Sequence, residues 1–119
     1  MINQEVNAMI PNFAQFKNDI KVVRAQMYVD IADFWIKMIA DRLEERLTVN
    51  QVKEHETLRL LFVADHVHKY KELTVEERNI VAGIVADQFK SEGWDPSIKI
   101  EYDTVGDSYD YLVFEQKMN

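Results

Sequence analysis

The chain contains no cysteine, only three glycines and only two prolines among its 119 residues. Without thiols there is no disulfide framework, no thiol nucleophile and no cysteine-ligated zinc or iron–sulfur centre. With glycine only at positions 83, 93 and 106, neither Gly-x-Gly-x-x-Gly nor the P-loop pattern can be written, so phosphate-cradling loops of those kinds are excluded. No Gly-x-Ser-x-Gly elbow is present, and Ser91, Ser97 and Ser108 all fall where helix ends and turns account for them. Basic residues are also in deficit, 14 against 21 acids, giving a net charge of -7. That balance disfavours a phosphate backbone or an anionic membrane as the main partner. The first ten residues carry neither a basic n-region nor a long apolar run, so no signal peptide is expected and the chain reads as cytoplasmic. What is present is the composition of a folded protein, 47% hydrophobic and 29% charged, at a length that predicts a single domain over 1–119.

Helical spacing dominates the first three quarters of the chain. Pro11-Asn12 marks a helix start, since Asn accepts a hydrogen bond from the free amides of a first turn. From there Phe13, Phe16, Ile20, Val23 and Met27 step by three and four residues along one face. A continuous helix over 13–47 is long for so small a domain, about 52 Å at about 1.5 Å per residue, so a kink or break between the mid-20s and about residue 30 is an open alternative. Within 27–40, eleven of fourteen residues are apolar, and the exceptions Asp30, Asp33 and Lys37 share a narrow stripe that continues to Asp41 and Glu44. A helix apolar on nearly every side is either central in its own bundle or buried in an oligomer interface.

Thr48 with Gln51, and Thr74 with Glu77, both fit capping boxes. They predict a second helix over 49–71, with Val52, Leu58, Leu61, Phe62 and Val67 inward and Leu60 and Val63 widening the stripe. A third is predicted through Ile80, Val81, Ile84, Val85 and Phe89, ended by Gly93 and Pro96. After Pro96 the period changes to two. Ile98, Ile100 and Tyr102 alternate with Lys99, Glu101 and Asp103, a turn follows at 105–108, and 109–115 reads as the returning strand. The expected fold is therefore α+β: a bundle of three to four helices over 12–92, followed by a C-terminal antiparallel β-hairpin over 97–116. Ile98, Ile100, Tyr111 and Val113 are the expected inward face of the hairpin, which leaves Leu112 and Phe114 on the other side.

Chemistry-bearing clusters are few. His55, Arg59, Phe62 and His66 would share one face of the second helix, but no two histidines stand four apart as a His-Glu-x-x-His site requires. Asp65, His66 and His68 therefore predict no metal site. Asp103, Asp107 and Asp110 do not match the EF-hand spacing. No catalytic residue and no cofactor is expected, and the chain reads as a binding protein rather than an enzyme.

Charge distribution singles out the hairpin. Residues 92–115 hold seven acids against Lys99 alone, a net of -6, interleaved with Trp94, Tyr102, Tyr109, Tyr111 and Phe114. Aromatics lose little entropy on burial in an interface and a negative patch steers a basic partner. Glu101, Asp103, Asp107, Tyr109, Asp110 and Tyr111 are the expected partner-binding residues, for a protein with a basic surface and not for nucleic acid or membrane directly. The competing account is a solvated acidic strand that deters edge-to-edge aggregation. A homodimer through the apolar helix 27–40 is a second possibility, and it would make the chain a structural or assembly component.

The ending, in which a helix closes on Ser91-Glu92-Gly93-Trp94 and a hairpin finishes in Asp110-Tyr111-Leu112-Val113-Phe114, resembles small accessory proteins encoded by bacteriophages. The resemblance implies an acidic single-domain protein without catalytic residues that binds and disables one host enzyme or defence complex; with the acidic hairpin as its binding face, the expected target is a host nucleic-acid enzyme or defence nuclease. It transfers no individual residue.

Overall fold

A computed structural model describes residues 9–48, 56–102 and 109–119. Among the described residues, two α-helices, α1 (Phe13–Thr48) and α2 (Val75–Ser91), lie with three strands, β1 (Thr57–Val63), β2 (Ser97–Glu101) and β3 (Tyr111–Lys117). Two short 3₁₀ turns, Ala64–His66 and Tyr70–Glu72, link β1 to α2. The sheet is antiparallel throughout, in the order β1-β3-β2. The class is thus α+β, but the bundle of three to four helices is not formed. Among the described residues, no helix is long and apolar enough to cross a membrane.

The correction falls on the expected second helix over 49–71. Its first half, 49–55, lies outside the described residues, and so does the Gln51 half of the Thr48 capping box. Its centre is β1. Leu58, Leu60 and Phe62 point into the core while Thr57, Arg59 and Leu61 face out, the period of a strand. Leu61 and Val63 fill two outward positions with apolar residues, so the same run also satisfies a helical stripe. Tertiary pairing decides between the two. A two-stranded hairpin is marginal in water, and β1 supplies β3 with its second neighbour over a register running from Thr57 opposite Lys117 to Val63 opposite Tyr111.

The β2–β3 hairpin itself forms as expected, but its inward face differs. Register places Ile98 opposite Phe114 and Ile100 opposite Leu112. Directly paired residues share a face, so Leu112 and Phe114 are the helix-facing pair, joined by Leu60 and Phe62 from β1. Val113 belongs to the outer face, where it is nonetheless fully buried. Its paired neighbours there are Leu61 on β1 and Lys99 on β2, and the charged side chains of Arg59, Glu101 and Glu115 surround them.

Helix α2 obeys its sequence closely. Thr74 Oγ1 accepts from the Glu77 amide (3.2 Å), and Glu77 Oε1 accepts from the Thr74 amide (3.1 Å), a complete capping box. Val81, Val85 and Phe89, four apart, form the buried stripe. At the other end the Gly93 amide donates to the Lys90 carbonyl and the Trp94 amide to the Phe89 carbonyl. This is a Schellman termination, with Gly93 left-handed at φ +90° and Trp94 meeting Phe89 edge-on at 5.9 Å. Phe114 completes a three-ring cluster, 5.2 Å from Phe89 and 6.1 Å from Trp94.

Helix α1 is continuous for 36 residues, without the break near residue 30. Asn12 caps it, its Oδ1 accepting from the Gln15 amide at 3.1 Å. Its buried residues Ile31, Ala32, Trp35 and Ile39 all lie in the second half, with Met27 and Tyr28 packed against the edge of the core. Every described residue from 9 to 26 is exposed. At about 1.5 Å per residue the first fourteen helical residues make an exposed arm about 21 Å long that meets the domain at its base, around Val23 and Arg24.

Candidate interaction surface

The site residues expected on the hairpin are only partly free. Asp103 and Asp107 lie outside the described residues. Glu101 and Tyr111 are register partners on the outer face. There Arg59 Nη2 donates to Glu101 at 2.7 Å while its Nε donates to Glu115 at 3.0 Å, so one guanidinium ties β1 to both other strands. These bonds hold the Glu101 carboxyl below its usual range, chiefly through the hydrogen bond from Arg59, and raise the Arg59 pKa in turn. Asp110 is also engaged internally. Its backbone carbonyl accepts from the Ala64 amide at 2.7 Å, and its carboxylate accepts from the Tyr70 hydroxyl at 3.2 Å. Desolvation, ahead of the nearby Asp110 charge, pushes the Tyr70 phenol up to about 12 even though Arg78, 3.9 Å over the ring, opposes it. Tyr109 is exposed and Tyr111 is half-buried.

The histidines are not on a helix. Arg59 and Phe62, expected on one helical face with His55 and His66, take opposite faces of β1, and His55 lies outside the described residues. His66 ends a 3₁₀ turn, and His68 stacks on Phe34 with ring centroids 4.9 Å apart. Among the described residues no three His, Cys, Asp or Glu side chains come together as metal ligands.

The surface that stands out is on α1. Phe13 (76% exposed), Phe16 (51%), Ile20 (44%) and Val23 (67%) form one apolar stripe along the arm. Met9 and Ile10, which precede the helix, are exposed as well, and at the base of the stripe lies a groove of about 390 Å³ whose lining includes Met27, Ile31 and His68. The arm joins the domain through a polar clamp. Glu77, nine-tenths buried, accepts from Arg24 and from the Tyr28 hydroxyl (2.5 Å) as well as from the Thr74 amide. Those bonds, led by that of Tyr28, lower the Glu77 carboxyl to about 2. The α2 cap thereby becomes the anchor that fixes where the arm leaves the domain.

Sequence periodicity identified the stripe as one helical face without saying whether a core or water meets it. The signal that it would stay uncovered was the length of the helix, greater than a domain of this size can enclose.

No protein-family model matches the chain, and no curated protein or solved structure matches it either.

Proposed function

We propose that the chain is a non-enzymatic interaction protein whose docking element is the apolar face of the arm of α1. The observation that carries this reading is the stripe Phe13, Phe16, Ile20 and Val23, contiguous and open to water on a continuous helix. Scattered exposed apolar residues are ordinary, whereas a contiguous patch marks an interaction site. A helix of about fourteen residues without tertiary packing is marginal in water, so a partner on the stripe also stabilises the arm itself.

A second reading keeps the acidic, tyrosine-bearing hairpin as the face for a basic partner, in the role of a phage-type inhibitor of a host nucleic-acid enzyme or defence nuclease. The exposure of Tyr109 supports it. The internal bonds of Glu101 and Asp110 count against it.

The test is capture from lysate containing the untagged chain, with the tagged full chain beside an F16E/I20D variant and a D110N variant. Binding, whether of another protein or of the untagged copy, that is lost with F16E/I20D supports the arm. Loss with D110N alone moves the function to the hairpin, and identical retention by all three overturns the proposal.

A further inference from the structure

The stripe has the spacing of a coiled-coil seam. Phe13, Phe16, Ile20, Val23 and Met27 follow steps of three, four, three and four, which makes Phe13, Ile20 and Met27 a positions and Phe16 and Val23 d positions of successive heptads. Two more steps reach Asp30 and Phe34; the acid ends the apolar run where the helix enters the domain. A seam of this period suits another helix lying along it with a slight left-handed wrap, rather than a flat or globular surface.

The residues flanking the seam identify that helix. The e positions are Lys17 and Arg24, and the g positions are Asn12, Asp19 and Gln26. In a parallel pair each g residue meets the e residue of the following heptad on its partner, so Asp19 of one copy meets Arg24 of the other, twice by symmetry. In an antiparallel pair e faces e, which sets Lys17 and Arg24 of one copy against the same cations of the other. The charges are therefore self-complementary in one orientation only. Both groups are available for the contact. Among the described residues Asp19 is bonded within its own helix, Oδ1 accepting from Gln15 at 2.8 Å, and Arg24, which donates through Nη2 to Glu77 and lies against Tyr28, keeps 46% of its side chain exposed.

Resting on the reading of the arm as a docking element, we infer that its partner is a second copy of this chain, joined in a parallel two-stranded coil over 13–27. Core-facing Trp35 and Ile39 sit about a quarter to a third of a turn from the seam at about 100° per residue, so a two-fold axis along the coil places the two domains on opposite sides. A whole phenylalanine presents roughly 200 Å², and weighted by exposure the four open seam residues offer on the order of 400 Å² per copy. A pair buries about twice that, below the roughly 1,200 to 2,000 Å² of a standard stable interface, which makes the dimer a weak, concentration-dependent one.

Sedimentation velocity on the full chain, from low micromolar to several hundred micromolar, tests this. The expected result is a monomer–dimer equilibrium that weakens about tenfold or more with I20D and to a lesser degree with D19K, while the tryptophan-monitored unfolding midpoint of the dilute monomer is unchanged. The absence of native cysteine allows a second readout. F16C should form a disulfide with itself under mild oxidation, whereas a mixture of F13C and M27C should not cross-link with each other. A chain that stays monomeric throughout overturns the homodimer; whether the arm still docks another protein is then decided by the capture experiment. A dimer indifferent to I20D, or one in which the F13C and M27C variants do cross-link with each other, overturns the parallel coil.

Discussion

Leu60 and Leu61 are adjacent in sequence and separate the strand from the helix expected in its place. In β1, Leu60 is fully enclosed opposite Phe114 and Leu61 is 43% exposed opposite Val113 on the outer face. Truncating Leu60 to alanine removes three buried carbons, worth about 2.5 kcal/mol of transfer free energy at about 0.8 kcal/mol each, and leaves a cavity that raises the cost to about 3–4 kcal/mol. Truncating Leu61 forfeits roughly half that burial at a site open to water, with no enclosed cavity, so about 1 kcal/mol is expected. Urea unfolding followed by tryptophan fluorescence measures both. At a slope of about 2 kcal/mol per molar, L60A should lower the midpoint by about 1.5–2 M and L61A by about 0.5 M. In the helical register Leu61 belongs to the centre of the stripe with Leu58 and Phe62, and Leu60 to its margin. A cost for L61A equal to or above that of L60A would refute the strand.

Two further predictions concern α2. Because the folded pKa of Glu77, about 2, lies below its ordinary value of 4.5, its contribution is complete above pH 4.5 and is lost as the pH falls from there toward 2. Unfolding midpoints measured across that window should decline for the wild type and decline less steeply for E77Q; equal slopes would show that the clamp with Tyr28, Thr74 and Arg24 does not form. Gly93 stands at φ +90° with nothing within 4 Å of an added Cβ, so G93A costs only the left-handed backbone penalty, about 1–2 kcal/mol. An unchanged denaturation midpoint would rule out the Schellman termination.

The parts of the fold legible in the sequence were those governed by neighbouring residues. Asn12, Thr74 with Glu77, and Gly93 act within one turn of themselves, and each does in the structure what its spacing announces. The period-two run after Pro96 gave the hairpin for the same reason. The inner face of that hairpin was not legible, because alternation gives two faces without saying which one meets the helices, and Leu112 with Phe114 outcompeted Val113 with Tyr111 once β1 brought Leu60 and Phe62 alongside. On the candidate surface, the acidic excess of 92–115 was visible as a count, but its pairing was not. Arg59 is 42 residues from Glu101 and 56 from Glu115, and only the sheet register brings the three together.

Sequence alone determined the caps at Asn12, Thr74 and Gly93, the apolar stripe of α1 and the change of period after Pro96, since each depends on contacts within a few residues. Tertiary structure decided that 57–63 is a strand, because an apolar run that satisfies both periods takes the one that gives β3 a second neighbour. It also decided that the stripe from Phe13 to Val23 is a surface rather than a core, because the domain enclosed by α2 and the sheet ends before the helix does.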